Sequence, residues 1–240
     1  MIPSDPGSSG PEGHSARRGG QSALPGGAFP GPGGPAPGPP VPRPENGPSA
    51  AAAPRPGVFL DRDGTLNLDD GYTWRWEDFR WLPGAIEALR VLQDEGLFVA
   101  IVTNQAGVAR GLYGERDIAA LHERMGADLA SRGLALPPLY YCPHHPDFTG
   151  PCGCRKPEPG MLVKAAREHS LDLSRSFMVG DKTSEVLAGL TAGGAAVLVR
   201  TGYGAGSGPP PGGALEAPDV LGAAKLIASL VKARGPAGPP

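Results

Sequence analysis

The chain has 240 residues, a net charge of -2, three cysteines, 38 glycines and 30 prolines. A near-neutral balance gives no hint of nucleic-acid binding, and no apolar run approaches the length that spans a membrane. Glycine and proline together exceed a quarter of the chain, which marks disordered sequence attached to something globular.

The skew is local: 27 of residues 1–56 are Gly or Pro, without periodic apolar positions, collagen register or the apolar core of a signal peptide. Such a segment cannot bury enough surface to offset its ordering entropy, so residues 1–56 read as a disordered tail. A Pro-rich docking arm is one alternative. An over-extended start is another, since no Met lies between Met1 and Met125. Residues 57–234 are long enough for one domain, with 235–240 a short C-terminal tail.

Val58-Phe59-Leu60 predicts a short buried strand that runs into Asp61-Arg62-Asp63-Gly64-Thr65. Side chains at i and i+2 of a strand point the same way, so Asp61 and Asp63 can face one reaction centre at its carboxyl end. A helix is expected from Gly84 to Glu95, with Gly96 beyond its end, and Leu97–Val102 is the continuous apolar run of a doubly covered strand. Thr103 and Asn104 follow. Residues 115–132 form an amphipathic helix, Leu139–Tyr141 a strand, 159–169 a helix, and Ser176–Val179 a strand ending in Gly180-Asp181. A helix over 184–192 and a strand over 195–200 come next, then a strand at Val220-Leu221 and a closing helix over 223–232. This alternation predicts an α/β fold: a parallel sheet with helices on both faces and ligands at the strands' carboxyl ends.

The Asp61–Thr65 run resembles motif I of the haloacid-dehalogenase superfamily of aspartate-nucleophile phosphatases. Thr103, Lys156 and Asp181 match its motifs II, III and IV in order. The resemblance implies a capless Rossmann-like phosphatase. Asp61 would be the nucleophile and Asp63 the general acid and base. Thr103 and Lys156 would hold the phosphoryl group, and Mg2+ would sit on Asp61, the Asp63 carbonyl and Asp181. Charge demands such a cation, because two carboxylates would otherwise repel a phosphoryl group in flight.

All three cysteines lie in Cys142-Pro143-His144-His145-Pro146 and Cys152-Gly153-Cys154. Four ligands in one short loop suit a closed structural Zn2+ site, and either His144 or His145 can reach by spacing alone. These motifs, with Asn104-Gln105-Ala106-Gly107-Val108-Ala109-Arg110-Gly111, are similar to the D-glycero-D-manno-heptose 1,7-bisphosphate 7-phosphatase family, related to the histidinol-phosphatase domain. The resemblance selects His144, through C-x-H. Removal of the 7-phosphate, leaving heptose 1-phosphate for nucleotide-activated heptose synthesis, is the implied reaction. Asn104, Arg110, Arg155 and Lys182 join Thr103 and Lys156 as substrate contacts. Histidinol phosphate or another small sugar phosphate is the same-class alternative, and a retired zinc-loop binding module the alternative from another class. Glu185 stands where the family commonly has Asp. Tyr72, Trp74, Trp76, Phe79 and Trp81 either wall the site or, as weighed here, mostly pack their loop onto the domain. The expected protein is a cytoplasmic monomer acting on a small molecule, without nucleic-acid or membrane partners.

Overall fold

A computed structural model describes residues 54–234. Residues 1–53 of the expected tail at 1–56, and the expected tail at 235–240, lie outside the described residues. Arg55 is already part of the fold: it bridges Leu171, and its guanidinium lies over the Phe98 ring. The folded chain therefore starts two residues before the expected Gly57.

Six strands form one parallel sheet in the order β3-β2-β1-β4-β5-β6. They are β1 (Gly57–Leu60), β2 (Phe98–Asn104), β3 (Leu139–Cys142), β4 (Phe177–Gly180), β5 (Ala195–Val199) and β6 (Leu215–Ala217). The helices are α1 (Ala85–Asp94), α2 (Ala106–Ala109), α3 (Glu115–Ser131), α4 (Pro146–Thr149), α5 (Gly160–His169), α6 (Thr183–Thr191) and α7 (Val220–Arg234).

Strand alternation divides the core in two. Val58, Leu60, Val99, Ile101 and Val179 face Leu89 and Leu92 of α1, Leu121 and Met125 of α3, and Ile227 of α7. Phe59, Ala100, Val102 and Met178 face Met161 and Leu162 of α5 and Val186 of α6. Both faces of β1 and β2 are thus covered, which explains their unbroken apolar runs. Gly96, at φ 66°, ends α1 in the left-handed conformation that glycine adopts at least cost.

The expected strand at Val220-Leu221 is corrected. Those residues open α7, whose first turn is capped by Asp219: its Oδ1 accepts from Gly222 N at 2.8 Å. The sixth strand is Leu215–Ala217, at the sheet edge, with two of its three residues exposed. An edge strand buried on so little surface carries no apolar run to betray it. No cap domain interrupts the fold among the described residues. Only a loop with one 3-10 turn and α1 lie between β1 and β2, and only α2 and α3 between β2 and β3.

Candidate active site

The acids and their partners meet where the central strands end. Asp61 N donates to Val179 O at 2.9 Å, so the chain leaving β1 is tied to β4 just before Asp181. At the same end β2 presents Thr103 and Asn104, and the loop beyond β3 returns Lys156. One cavity of about 580 Å³ is lined by Asp61, Asp63, Thr103, Lys156 and Glu185, with Arg110 and Arg155 also in its wall.

Lys156 Nζ forms a buried ion pair with Asp61, lies 3.3 Å from Glu185 Oε1, and donates to Val102 O at 2.9 Å. Burial works against the lysine's charge, but Asp61 and Glu185 outweigh it and hold its pKa above the usual value. Burial pushes the Asp61 carboxyl up; Lys156 opposes this, while Glu185, Asp181 and Asp63 add to it. Asp181 is likewise raised to about 6, by burial first, with Glu185 adding to it against Lys182 and the Tyr203 N–H. One lysine does not balance this many carboxylates.

Two buried oxygens in the cluster, Asp181 Oδ1 and Glu185 Oε2, accept no hydrogen bond. Added Cβ atoms at Gly64 (φ 88°) or Gly202 (φ 49°) would collide with the Asp181 carboxylate, so two glycines cradle that group. Orphaned oxygens, excess negative charge and an all-oxygen donor set fit a hard divalent cation such as Mg2+.

Asp63 sits differently from Asp61. Its Oδ1 accepts from Arg62 NH2 at 2.9 Å and Asn67 Nδ2 at 3.1 Å; its Oδ2 accepts from Thr103 Oγ1 at 3.1 Å and Gln105 Nε2 at 2.9 Å. Burial alone would raise its pKa, but the Arg62 charge and these donors hold it below the ordinary carboxylate range. Thr103, expected to donate to a phosphoryl group, here donates to Asp63. Asn104, expected at the substrate, spends its amide on the Lys156 backbone: Nδ2 donates to Lys156 O and Oδ1 accepts from Lys156 N, both at 3.1 Å. It borders the cavity and positions the lysine.

Arg62, Gln105, Tyr113 and His122 were missed by sequence reasoning. Arg62 is 0 % exposed; besides Asp63 it reaches Thr73 O at 2.7 Å and His122 Nε2 at 3.2 Å. Burial holds His122 neutral, with its pKa lowered to about 3 and Arg62 adding to the effect, so its Nε2 can accept. Tyr113 OH donates to Gln105 Oε1 at 2.8 Å. The only sequence signal was an arginine between two strand-end acids, which also describes a solvated surface residue.

Lys182 borders the cavity, with Nζ 2.9 Å from Asp69 Oδ2. Of the aromatic loop, Trp76, Phe79 and Trp81 pack together, with ring separations of 5.4 and 4.8 Å, and Trp74 stacks on Tyr113. Tyr72 alone of the five lines the cavity.

The structure brings Cys142, His144, Cys152 and Cys154 together, every pair of ligand atoms within 4.8 Å. Cys154 Sγ lies 3.0 Å from Cys142 Sγ, 3.4 Å from Cys152 Sγ and 3.3 Å from His144 Nδ1. A tetrahedron with Zn–S bonds near 2.3 Å has edges of roughly 3.8 Å, so small adjustments would admit zinc. His145 turns away, accepting from Asp147 N to cap α4, and faces the cavity instead.

Comparison with known proteins places the chain in a family. Residues 153–209 match a family model described as HAD-hydrolase-like. D-glycero-beta-D-manno-heptose-1,7-bisphosphate 7-phosphatase of Photorhabdus laumondii is 50 % identical over 153 residues, 61 % of this chain and 81 % of that protein. The chain belongs to this phosphatase family. The Escherichia coli K12 member is 45 % identical over 153 residues, covering 61 % of this chain and 80 % of its own. A crystal structure of D,D-heptose 1,7-bisphosphate phosphatase from B. bronchiseptica, complexed with magnesium and phosphate, superposes with a TM-score of 0.68 at 34 % identity. It covers 73 % of this chain and 99 % of its own. Among the described residues no helix is long and apolar enough to cross a membrane.

Proposed function

We propose that this chain is a Mg2+-dependent phosphatase that removes the 7-phosphate of D-glycero-β-D-manno-heptose 1,7-bisphosphate through a phosphoryl group carried on Asp61. The observation that carries the reading is Asp61 paired with Lys156 in a cavity that also holds the orphaned oxygens of Asp181 and Glu185. A carboxylate so placed is neutralised without being blocked from a phosphorus.

In the first step an Asp61 carboxylate oxygen bonds to phosphorus. The bond from phosphorus to the C7 oxygen breaks, and Asp63 gives that oxygen a proton. In the second, Asp63 takes a proton from water, whose oxygen attacks phosphorus. The Asp61–phosphorus bond breaks, releasing inorganic phosphate and heptose 1-phosphate. Asp63 is held here as the anion, which suits the second step; an incoming phosphate dianion pushes its pKa upward and readies it for the first. Asp61, the Asp63 carbonyl and Asp181 would hold Mg2+, which would supply positive charge for the equatorial oxygens. Lys156 adds its own, and Thr103 supplies a donor once it leaves Asp63.

Arg110 and Arg155 in the cavity wall favour a substrate with a second phosphate, since guanidinium binds phosphate bidentately. Histidinol phosphate would bring a cationic amine there instead. The three cysteines are free thiols, and zinc binding by them suits the reducing cytoplasm. The enzyme is proposed to act as a monomer. The test is phosphate release from the heptose bisphosphate with and without Mg2+, by the parent and by Asp61→Asn. Faster cleavage of histidinol phosphate, or full activity of Asp61→Asn, would overturn the proposal.

A further inference from the structure

Tyr203 stands out at the mouth of the cavity. Among the exposed large apolar side chains of the described residues it is the most exposed, at 62 %. A lone exposed tyrosine is ordinary. This one borders the active-site cavity, and its backbone is fixed to the catalytic end of the sheet.

Its own N–H donates to Asp181 Oδ2 at 2.8 Å. The preceding Thr201 Oγ1 donates to Gly64 O at 2.8 Å, tying the turn to the loop after Asp61 and Asp63. Arg200 NH1 holds the far side of the same turn through Gly204 O at 3.1 Å and Ser207 O at 2.7 Å. Gly204 packs so closely on Val199 O that a Cβ there would collide with it. The turn is anchored on both sides, yet the ring itself is left in solvent. Lys182 Nζ lies 4.5 Å from the ring centroid and is itself bonded to Asp69. A cation over the face of a ring orients both groups.

We propose that Tyr203 is a substrate-binding residue, whose ring offers the face not covered by Lys182 as a stacking surface for the carbon skeleton of the sugar. Pyranose rings and their side carbons present C–H faces, which pack on aromatic rings, and hydroxyl edges, which do not. An exposed ring rigidly attached to the metal-binding acid selects for a polyhydroxylated carbon chain of the right reach. Inorganic phosphate, bound deeper at Asp61, does not extend to it. This inference rests on the sugar-phosphatase reading above.

The test is calorimetric binding with Mg2+ in an Asp61→Asn background, which prevents turnover. Heptose 1,7-bisphosphate and inorganic phosphate are the two ligands. Tyr203→Ala is expected to weaken the heptose bisphosphate about tenfold and leave inorganic phosphate unchanged, while Tyr203→Phe stays within about twofold. Equal heptose affinities for Tyr203→Ala and its background overturn the proposal. So does an equal loss for both ligands, which would mean that the residue acts through Asp181. No heptose binding in the background protein also overturns it. Phosphate release by the parent judges the function separately, so failure of that reading is told apart from failure of the stacking contact.

Discussion

Thr103 Oγ1 donates to Asp63 Oδ2 across 3.1 Å, joining the end of β2 to the loop after β1. Gln105 Nε2 reaches both, at 2.8 Å to Thr103 Oγ1 and 2.9 Å to Asp63 Oδ2. Thr103 has one hydroxyl proton, so it cannot serve Asp63 and a phosphoryl oxygen together. In the proposed reaction the phosphoryl group would draw the Thr103 hydroxyl away from Asp63, and Gln105 would keep the acid in place.

Separation of the two half-reactions follows. Asp63→Asn keeps a hydrogen-bonding side chain but can neither give nor take the proton. With p-nitrophenyl phosphate, whose leaving group needs no acid, the variant is expected to release about one nitrophenolate per chain and then stall. Its steady-state rate should fall by a factor on the order of 10²–10⁴. Stopped-flow absorbance reads both phases. A linear trace at the parent's rate would remove Asp63 from the mechanism.

Arg62 is a structural keystone of the site. Its buried guanidinium serves Asp63, Thr73 O and His122, so Arg62→Ala takes a donor from one buried and two half-buried partners. Breaking a buried pair in this way costs about 3–5 kcal/mol. Arg62→Lys should recover little, since an ammonium lacks the planar fork. Urea unfolding measures both; a cost under about 1 kcal/mol for Arg62→Ala would contradict the geometry.

Asp181 makes stability depend on pH and magnesium. Its folded pKa of about 6 lies above the ordinary 3.8, so without Mg2+ its burial costs nothing at pH 3. Stability is then lost as pH rises from near 3.8 through about 6. The full displacement corresponds to about 3 kcal/mol. In magnesium-free buffer, Asp181→Asn should therefore be the more stable protein at pH 8, with the advantage shrinking toward pH 4.5. Added Mg2+ should reverse the order at pH 8, because only the parent binds it. Thermal unfolding at the two pH values decides; no reversal would mean that Asp181 is not a metal ligand.

The two adjacent histidines face different ways, His144 into the cysteine cluster and His145 toward the cavity. His144 Nδ1 lies 3.3 Å from Cys154 Sγ, whereas His145 borders the cavity. His144→Ala should lose bound zinc and lower the melting temperature, and kcat should fall because Cys154 lies two residues before Lys156. His145→Ala should retain about one zinc per chain. Metal analysis with melting curves checks this, and zinc loss from His145→Ala alone would invert the assignment.

Much of this was legible in the chain. The unbroken apolar runs at Phe59 and Val99 predicted a doubly covered parallel sheet because burial on both faces leaves no polar position. The acids at 61, 63 and 181 stood just past strand ends, on the side of an open parallel sheet where ligands bind. Strand β6 was hidden because Leu215-Glu216 lies exposed at an edge, and Val220-Leu221 took its place although Asp219 carried a helix-cap signal.

What the sequence determined by itself is which groups are present: carboxylates at 61, 63 and 181, a lysine at 156 and four metal-ligand side chains, on elements whose order follows from local periodicity. Tertiary structure decided what each group touches. Lys156 meets Asp61 across 95 residues, Asn104 holds the Lys156 backbone, Arg62 turns inward to Asp63, and Tyr203 comes to rest over Lys182. Periodicity assigns a residue to a face using its nearest neighbours. A hydrogen-bond partner on another strand is assigned by sheet order and loop closure, which no local pattern records.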